Sequence, residues 1–283
     1  MPEFVSPKLG VHAWASVAAD EVDERHLAIF GKGFRRIGSY AKLAQVGAHT
    51  CLKAADADLM AGSRVGIFLG TGLGNTETAV PMTEGILHAE RPWCSPMAFA
   101  GSVGNAASYY VARTLDLAGM NVTVSQEELS FETALMEAVL AISAGFIELA
   151  LIGGVDVYTD RREEHRARLD AVGVLGVPTG GSGWLLLGRA PARVTLEEVW
   201  TGFVDVSTDL FGGVGPGDTL LPGWRLHDSS NAETRLMSVA AALRLVETIE
   251  AAVSGPPTGA TRQFTHVHRT RRGFGARVRV SIA

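Results

Sequence analysis

Residues 121–156 run NVTVSQEELSFETALMEAVLAISAGFIELALIGGVD, and no other stretch constrains the fold of this chain as much. It opens on Val122, Thr123 and Val124 and passes through Ser125-Gln126-Glu127-Glu128 into a helical pattern over about 129–145. Leu129, Phe131, Ala134, Leu135, Ala138, Val139, Leu140 and Ile142 make that helix apolar on nearly every face. Such a helix belongs in the middle of a molecule, not on its surface. After Gly145 an apolar run from Phe146 to Gly154 reads as a strand buried on both sides, ending in Val155-Asp156. Strand, central helix, strand is a parallel crossover. The expected class is therefore α/β, with helices on both faces of mostly parallel sheets.

The neighbouring segments fit that frame. Residues 33–56 carry a wide apolar face (Ile37, Tyr40, Leu43, Ala44, Val46, Ala48, Leu52) at helical spacing, and Cys51 falls beside it as a small buried hydrophobe. Arg64 to Gly70 reads as a buried strand that runs into Thr71-Gly72-Leu73-Gly74-Asn75. This GTGLGN has the look of a phosphate loop, but Asn75 stands where the third glycine of GxGxxG would be and no Lys-Ser/Thr pair follows, so it is read as a tight strand-to-helix turn. Residues 95–118 give a further turn and helix begun by Pro96 and rich in small residues. Beyond a charged run at 159–172, strands are expected at 182–188, within 194–206 and at 276–282, with a loop over 211–224. Ser230-Asn231-Ala232-Glu233 has capping-box spacing ahead of a helix carrying Leu236, Val239, Ala240, Leu243 and Val246.

Composition excludes several function classes. With 47% hydrophobic and 19% charged residues among 283, much of the chain must be buried, and a net charge of −5 gives no general attraction to nucleic acid or an anionic membrane. The two cysteines, Cys51 and Cys94, make neither a zinc spacing nor a disulfide framework. The start, MPEFVSPKLG, lacks the charged and apolar regions of a leader. A cytoplasmic protein without metal or cofactor is expected.

Taken together and in order, FRRIGSYAKLAQVGA, RVGIFLGTGLGN, SPMAFAGSVGNAASYYVA, the helix after NVTVS and FIELALIGGVDVY resemble the N-terminal half of β-ketoacyl-acyl carrier protein synthases, which have the thiolase fold. TGGSGWLLLGRA and RGFGARVRVSI resemble the family's later glycine-rich strand and its closing turn and strand. The resemblance implies one domain over residues 1–283, well matched over 1–158 and shortened over 159–283, with most of the missing length after residue 190.

In the family a cysteine at the N-terminus of the buried central helix takes the acyl chain, and two histidines assist. There, backbone N–H groups and the helix dipole favour a thiolate. Laid over that segment, TVSQEELSFETAL puts Glu128 at the nucleophile position with Glu127 beside it. An acyl group on a carboxylate would be a mixed anhydride, more activated than the thioester it came from, so transfer would run uphill. The candidates for the first histidine reduce to His227, and Thr234 or Arg235 falls where the second would be. His266 and His268, in the arginine-rich HVHRTRR, read as exposed polar residues.

Two functions follow from this pattern. One is a non-catalytic chain length factor that pairs with a catalytic ketosynthase and shapes its acyl tunnel, as truncated subunits of this kind do in systems making aryl polyenes and other polyene acyl chains. Met97, Phe99, Phe131 and Met136 would then line the tunnel or interface, and Arg161, Arg162 and Arg166 would meet an acidic acyl carrier protein. The other is an enzyme of altered chemistry, a malonyl-carrier decarboxylase or acyl transferase with Glu128 or Glu127 as general base.

Overall fold

A computed structural model describes residues 7–33, 37–88, 90, 93–126, 129–157, 180–203, 238–255, 261–269 and 274–283. The chain opens with β1 (Leu9–Ala18), α1 (Val22–Phe30), α2 (Ser39–Lys53) and the single turn α3 (Ala57–Met60). Strand β2 (Val65–Gly70), α4 (Thr76–His88), α5 (Pro96–Ser102) and α6 (Ala106–Thr114) follow. Then come β3 (Asn121–Val124), α7 (Ser130–Ser143) and β4 (Leu149–Asp156), the crossover expected from the sequence. The remainder supplies β5 (Gly181–Gly188), β6 (Val194–Phe203), α8 (Ser238–Ser254), β7 (Arg262–Arg269) and β8 (Phe274–Ile282).

The described strands form one sheet in the order β3-β2-β4-β5-β1-β6-β8-β7. Alternation along β4 shows how it builds two cores. Leu149, Leu151 and Val155 join Tyr40, Leu43 and Ala44 of α2 on one face, while Ala150 and Ile152 join Phe131, Leu135 and Ala138 of α7 on the other. Helix α8 lies on the α7 side through Ala242, Leu245, Val246 and Ile249. The result is a three-layer α/β arrangement in which α7 buries most of its residues, as its apolar sequence requires. Glu137 and Leu140 leave one stripe of it exposed, which the all-round apolar pattern did not lead one to expect.

Parallel pairing, expected for most of the sheet, is confined to β3-β2-β4; every other neighbouring pair is antiparallel. The reason lies in β5. All eight of its residues are buried, and a strand buried on both faces has the same continuous apolar pattern whichever way it runs. Five elements, β1, α1, α3, α4 and β7, had no expected counterpart in the sequence. Alanines dilute the strand signal of LGVHAWASVA, and α4 contains Pro81 and buries none of its residues, so it lacks an apolar stripe.

Close approach across the sheet explains one glycine, Gly153, which stands opposite Trp184 on the neighbouring strand. At Gly153 on β4 a Cβ would stand 2.6 Å from three ring atoms of Trp184, which is wholly buried on β5. Gly153→Ala should therefore cost about 3 kcal/mol of folding free energy, the upper range for overpacking a core. Urea unfolding would show it, and a change below about 1 kcal/mol would mean that the indole can move aside. No helix among the described residues is long and apolar enough to cross a membrane.

Candidate functional site

The N-terminus of α7 is built by the chain folding back on the helix's first turn. The Gln126 backbone N–H donates to Ser130 Oγ at 2.8 Å, and Thr133 Oγ1 donates to Gln126 Oε1 at 2.8 Å. Ser130 is wholly buried, so its hydroxyl serves the backbone and is not offered to solvent. Below this turn lies Gly70, the last residue of β2, where a Cβ would come within 2.6 Å of the Phe131 backbone. Only a glycine lets the helix start this close to the strand end. Glu127 and Glu128 lie outside the described residues, as do His227, Thr234, Arg235, Arg161, Arg162 and Arg166.

The same first turn carries a side chain that the sequence reading missed. Glu132 is wholly buried and its Oε1 lies 3.0 Å from Nε2 of His266 on β7, which is only 2% exposed. This corrects the expectation that His266 is an exposed polar residue of HVHRTRR. The arginines mark the ends of β7, whereas its middle, Phe264 to Val267, is buried. A signal was available. Glu132 falls at helical spacing with Leu129, Leu135, Met136 and Val139, in an apolar stripe, and a carboxylate buried in such a stripe needs a partner.

The GTGLGN loop, which follows β2, is organised by another buried carboxylate. Asp156, at the end of β4 and without exposure, accepts from Thr71 Oγ1 at 2.7 Å, from the Leu73 N–H at 2.9 Å and from the Gly72 N–H at 3.3 Å. Thr71 Oγ1 in turn accepts from the Gly74 N–H at 2.8 Å. The donors that would cradle a phosphate are thus taken by the protein's own anion, which supports reading the loop as a structural turn. Tyr40 lies beside this cluster and donates to the Gly104 carbonyl at 3.1 Å. Burial pushes its hydroxyl far above the ordinary tyrosine range, so it stays neutral. Cys51 is also buried, and desolvation pushes its thiol up, which leaves it a core residue and not a nucleophile.

Past the loop, the surface changes character. Asn75 Nδ2 donates to the Gly101 carbonyl and ties the loop to α5. Helices α4 and α5 pack on each other, yet neither buries a residue. Met97 and Phe99 on α5 are 60% and 61% exposed, Trp93 ahead of it 74%, Leu87 at the end of α4 71% and Tyr109 on α6 52%. Strand β3 forms one end of the sheet and hydrogen-bonds only to β2 among the described strands. Phe131 and Met136, in contrast, belong to the interior. Phe131 is 1% exposed in the core around α7, and Met136 packs partly buried against it. The four apolar residues singled out in the sequence therefore divide into two on the surface and two inside. Among the described residues no three His, Cys, Asp or Glu side chains are grouped closely enough to hold a metal ion.

Residues 9–175, more than half of the chain, match the model of the β-ketoacyl synthase N-terminal domain. The chain belongs to this family. Its fold is that of the thiolase-like ketosynthases, as solved structures show. The ishigamide ketosynthase/chain length factor superposes with a TM-score of 0.75 at 17% identity, over 98% of this chain and 99% of that one. A type II polyketide synthase acyl-carrier protein in complex with its ketosynthase, bound to the hexaketide, gives 0.69 at 15%, over 98% and 99%. A ketosynthase in complex with its chain length factor from Xenorhabdus doucetiae gives 0.58 at 14%, over 97% and 99%. No curated protein sequence matches the chain. The sequence has no cysteine after Cys94, so none lies on α7 or at its start.

Proposed function

We propose that this chain is a non-catalytic ketosynthase-like subunit, a chain length factor, that pairs with a catalytic β-ketoacyl synthase and shapes its acyl tunnel during polyene, polyketide or fatty acyl elongation. The observation that carries this reading is the apolar surface formed by α4 and α5. Exposed apolar side chains of this size, on helices that bury nothing of their own, mark a face that another protein covers. At the β3 end of the sheet, the edge away from β2 offers backbone N–H and C=O groups to a further strand. Met97 and Phe99 are assigned to that interface, while Phe131 and Met136 hold the start of α7 from inside. Neither cysteine lies on α7, and the sequence register puts Glu128 where the thiolate would be. That absence supports a subunit that holds no acyl group itself.

Residues 1–283 act as one domain on this reading. Strand β1, from the N-terminal end, lies between β5 and β6, so one sheet interleaves strands from the segments before and after residue 158. Arg161, Arg162 and Arg166 are assigned to an acidic acyl carrier protein, which the catalytic partner helps to dock. The protein works in the cytoplasm.

The test is the native mass of this chain co-expressed with the ketosynthase encoded nearest to it. A one-to-one heterodimer is expected, with this chain poorly soluble alone because its apolar face stays uncovered. A stable homodimer that ignores the ketosynthase would overturn the reading. Glu128→Gln would then be assayed for lost malonyl-carrier decarboxylation.

A further inference from the structure

Strand β7 closes the sheet at the end opposite β3 and hydrogen-bonds to β8 alone among the described strands. Its four central residues, Phe264, Thr265, His266 and Val267, are all buried. In a strand with one wet face, a slip of one residue would carry its apolar set into water, and register is strongly specified. Here both faces are dry at these positions, so apolar patterning discriminates only weakly between registers. Each face carries one buried polar side chain, Thr265 or His266, and what distinguishes the faces is the carboxylate that His266 meets. Phe264 joins the cluster around α7 and α8, Val267 meets Trp200 on the other side, and His266, on the Phe264 face, hydrogen-bonds to Glu132 at 3.0 Å.

We infer that the Glu132–His266 pair is a register lock, which selects one alignment of β7 and sets the β7–β8 hairpin against the first turn of α7. A slip of one residue would turn His266 onto the Val267 face, away from Glu132. A slip of two would carry it about 7 Å along the strand, beyond hydrogen-bond reach. In either case Glu132 stays in the core without its imidazole. Buried polar pairs of this kind add little stability over apolar replacements, and selection of one register is the best-attested reason to keep them. The lock also bears on function through position, because Glu132 lies in the first turn of α7, four residues after Glu128 in the sequence. The hairpin and the start of the central helix are aligned by the same contact.

The experiment uses disulfide trapping of the full chain with Cys94 changed to serine, which leaves only the buried Cys51. Gln263 faces Ser281 in the observed register, so Gln263→Cys/Ser281→Cys reports that alignment, and Gln263→Cys/Arg279→Cys reports a slip of two. Cysteines directly opposite on paired strands lie within disulfide range, whereas a two-residue offset does not. With Glu132 and His266 intact, only the first pair should close under mild oxidation. In Glu132→Leu/His266→Leu, the chain should keep its melting temperature within a few degrees, and both pairs should close. His266→Leu alone should lower the folded-to-unfolded ratio by at least about 100-fold. A stable double variant that closes only the first pair overturns the lock, and so does an unchanged melting curve for His266→Leu. Should the leucine pair not fold, Glu132→Met/His266→Met fills the same space with more adaptable side chains. Failure of both apolar pairs to fold would show that the contact supplies stability and not selection, and would overturn the proposal too.

Discussion

Met97→Asp/Phe99→Asp should abolish pairing with the catalytic ketosynthase while leaving this chain folded. Both side chains are at least 60% exposed in the isolated chain and lie on α5, which buries no residue, so neither contributes much to the protein's own core. In an assembled pair they would be desolvated. Loss of a buried aromatic or methionine anchor costs about 2 kcal/mol or more, and a carboxylate left in its place adds a desolvation cost. For two such residues the dissociation constant should rise about a thousandfold or further. Sedimentation or native mass spectrometry of the co-expressed pair reads the loss, and a melting curve of the variant alone checks that folding is intact. Wild-type affinity in the double variant would place the partner on another face. Tyr109→Asp on α6 makes a milder companion, because that side chain is 52% exposed on the neighbouring helix.

The second large effect is expected at Asp156. Its carboxylate accepts from the Thr71 hydroxyl and from the Leu73 and Gly72 N–H groups in the interior. Hydrogen bonds to a charged group contribute about 1.5–3 kcal/mol each, and they are not additive within one network. Asp156→Ala should lower the free energy of unfolding by about 4 kcal/mol, since it removes the acceptor and leaves buried donors behind. Asp156→Asn should cost less, because its amide oxygen can still hold the Leu73 N–H. Amide exchange should speed up over residues 71–75, and α5 should loosen with them through Asn75 and Gly101. A loss below about 1 kcal/mol in urea unfolding would show that the turn holds itself without Asp156.

These two sites differ in how far the sequence exposes them. Met97 and Phe99 stand out as large apolar residues in a segment of small ones, but sequence cannot say whether such residues are core or surface. Phe131 and Met136 have the same residue types and went to the interior. Asp156 looks like the polar end of a strand, and GTGLGN like half of a phosphate motif. Their meeting required β2 and β4 to be neighbours, as they are in the sheet.

The parallel crossover, the burial of α7 and the family membership were determined by the sequence alone, because each rests on local order: apolar periodicity within about 15 residues, or segments met in succession. Only the tertiary structure decided the antiparallel course of β5, the filling of the GTGLGN loop by Asp156 and the burial of His266 against Glu132. Asp156 reaches Thr71 across 85 residues of chain and Glu132 reaches His266 across 134. A polar residue's partner at such separations is set by which strands lie side by side, and no periodicity in the sequence carries that information.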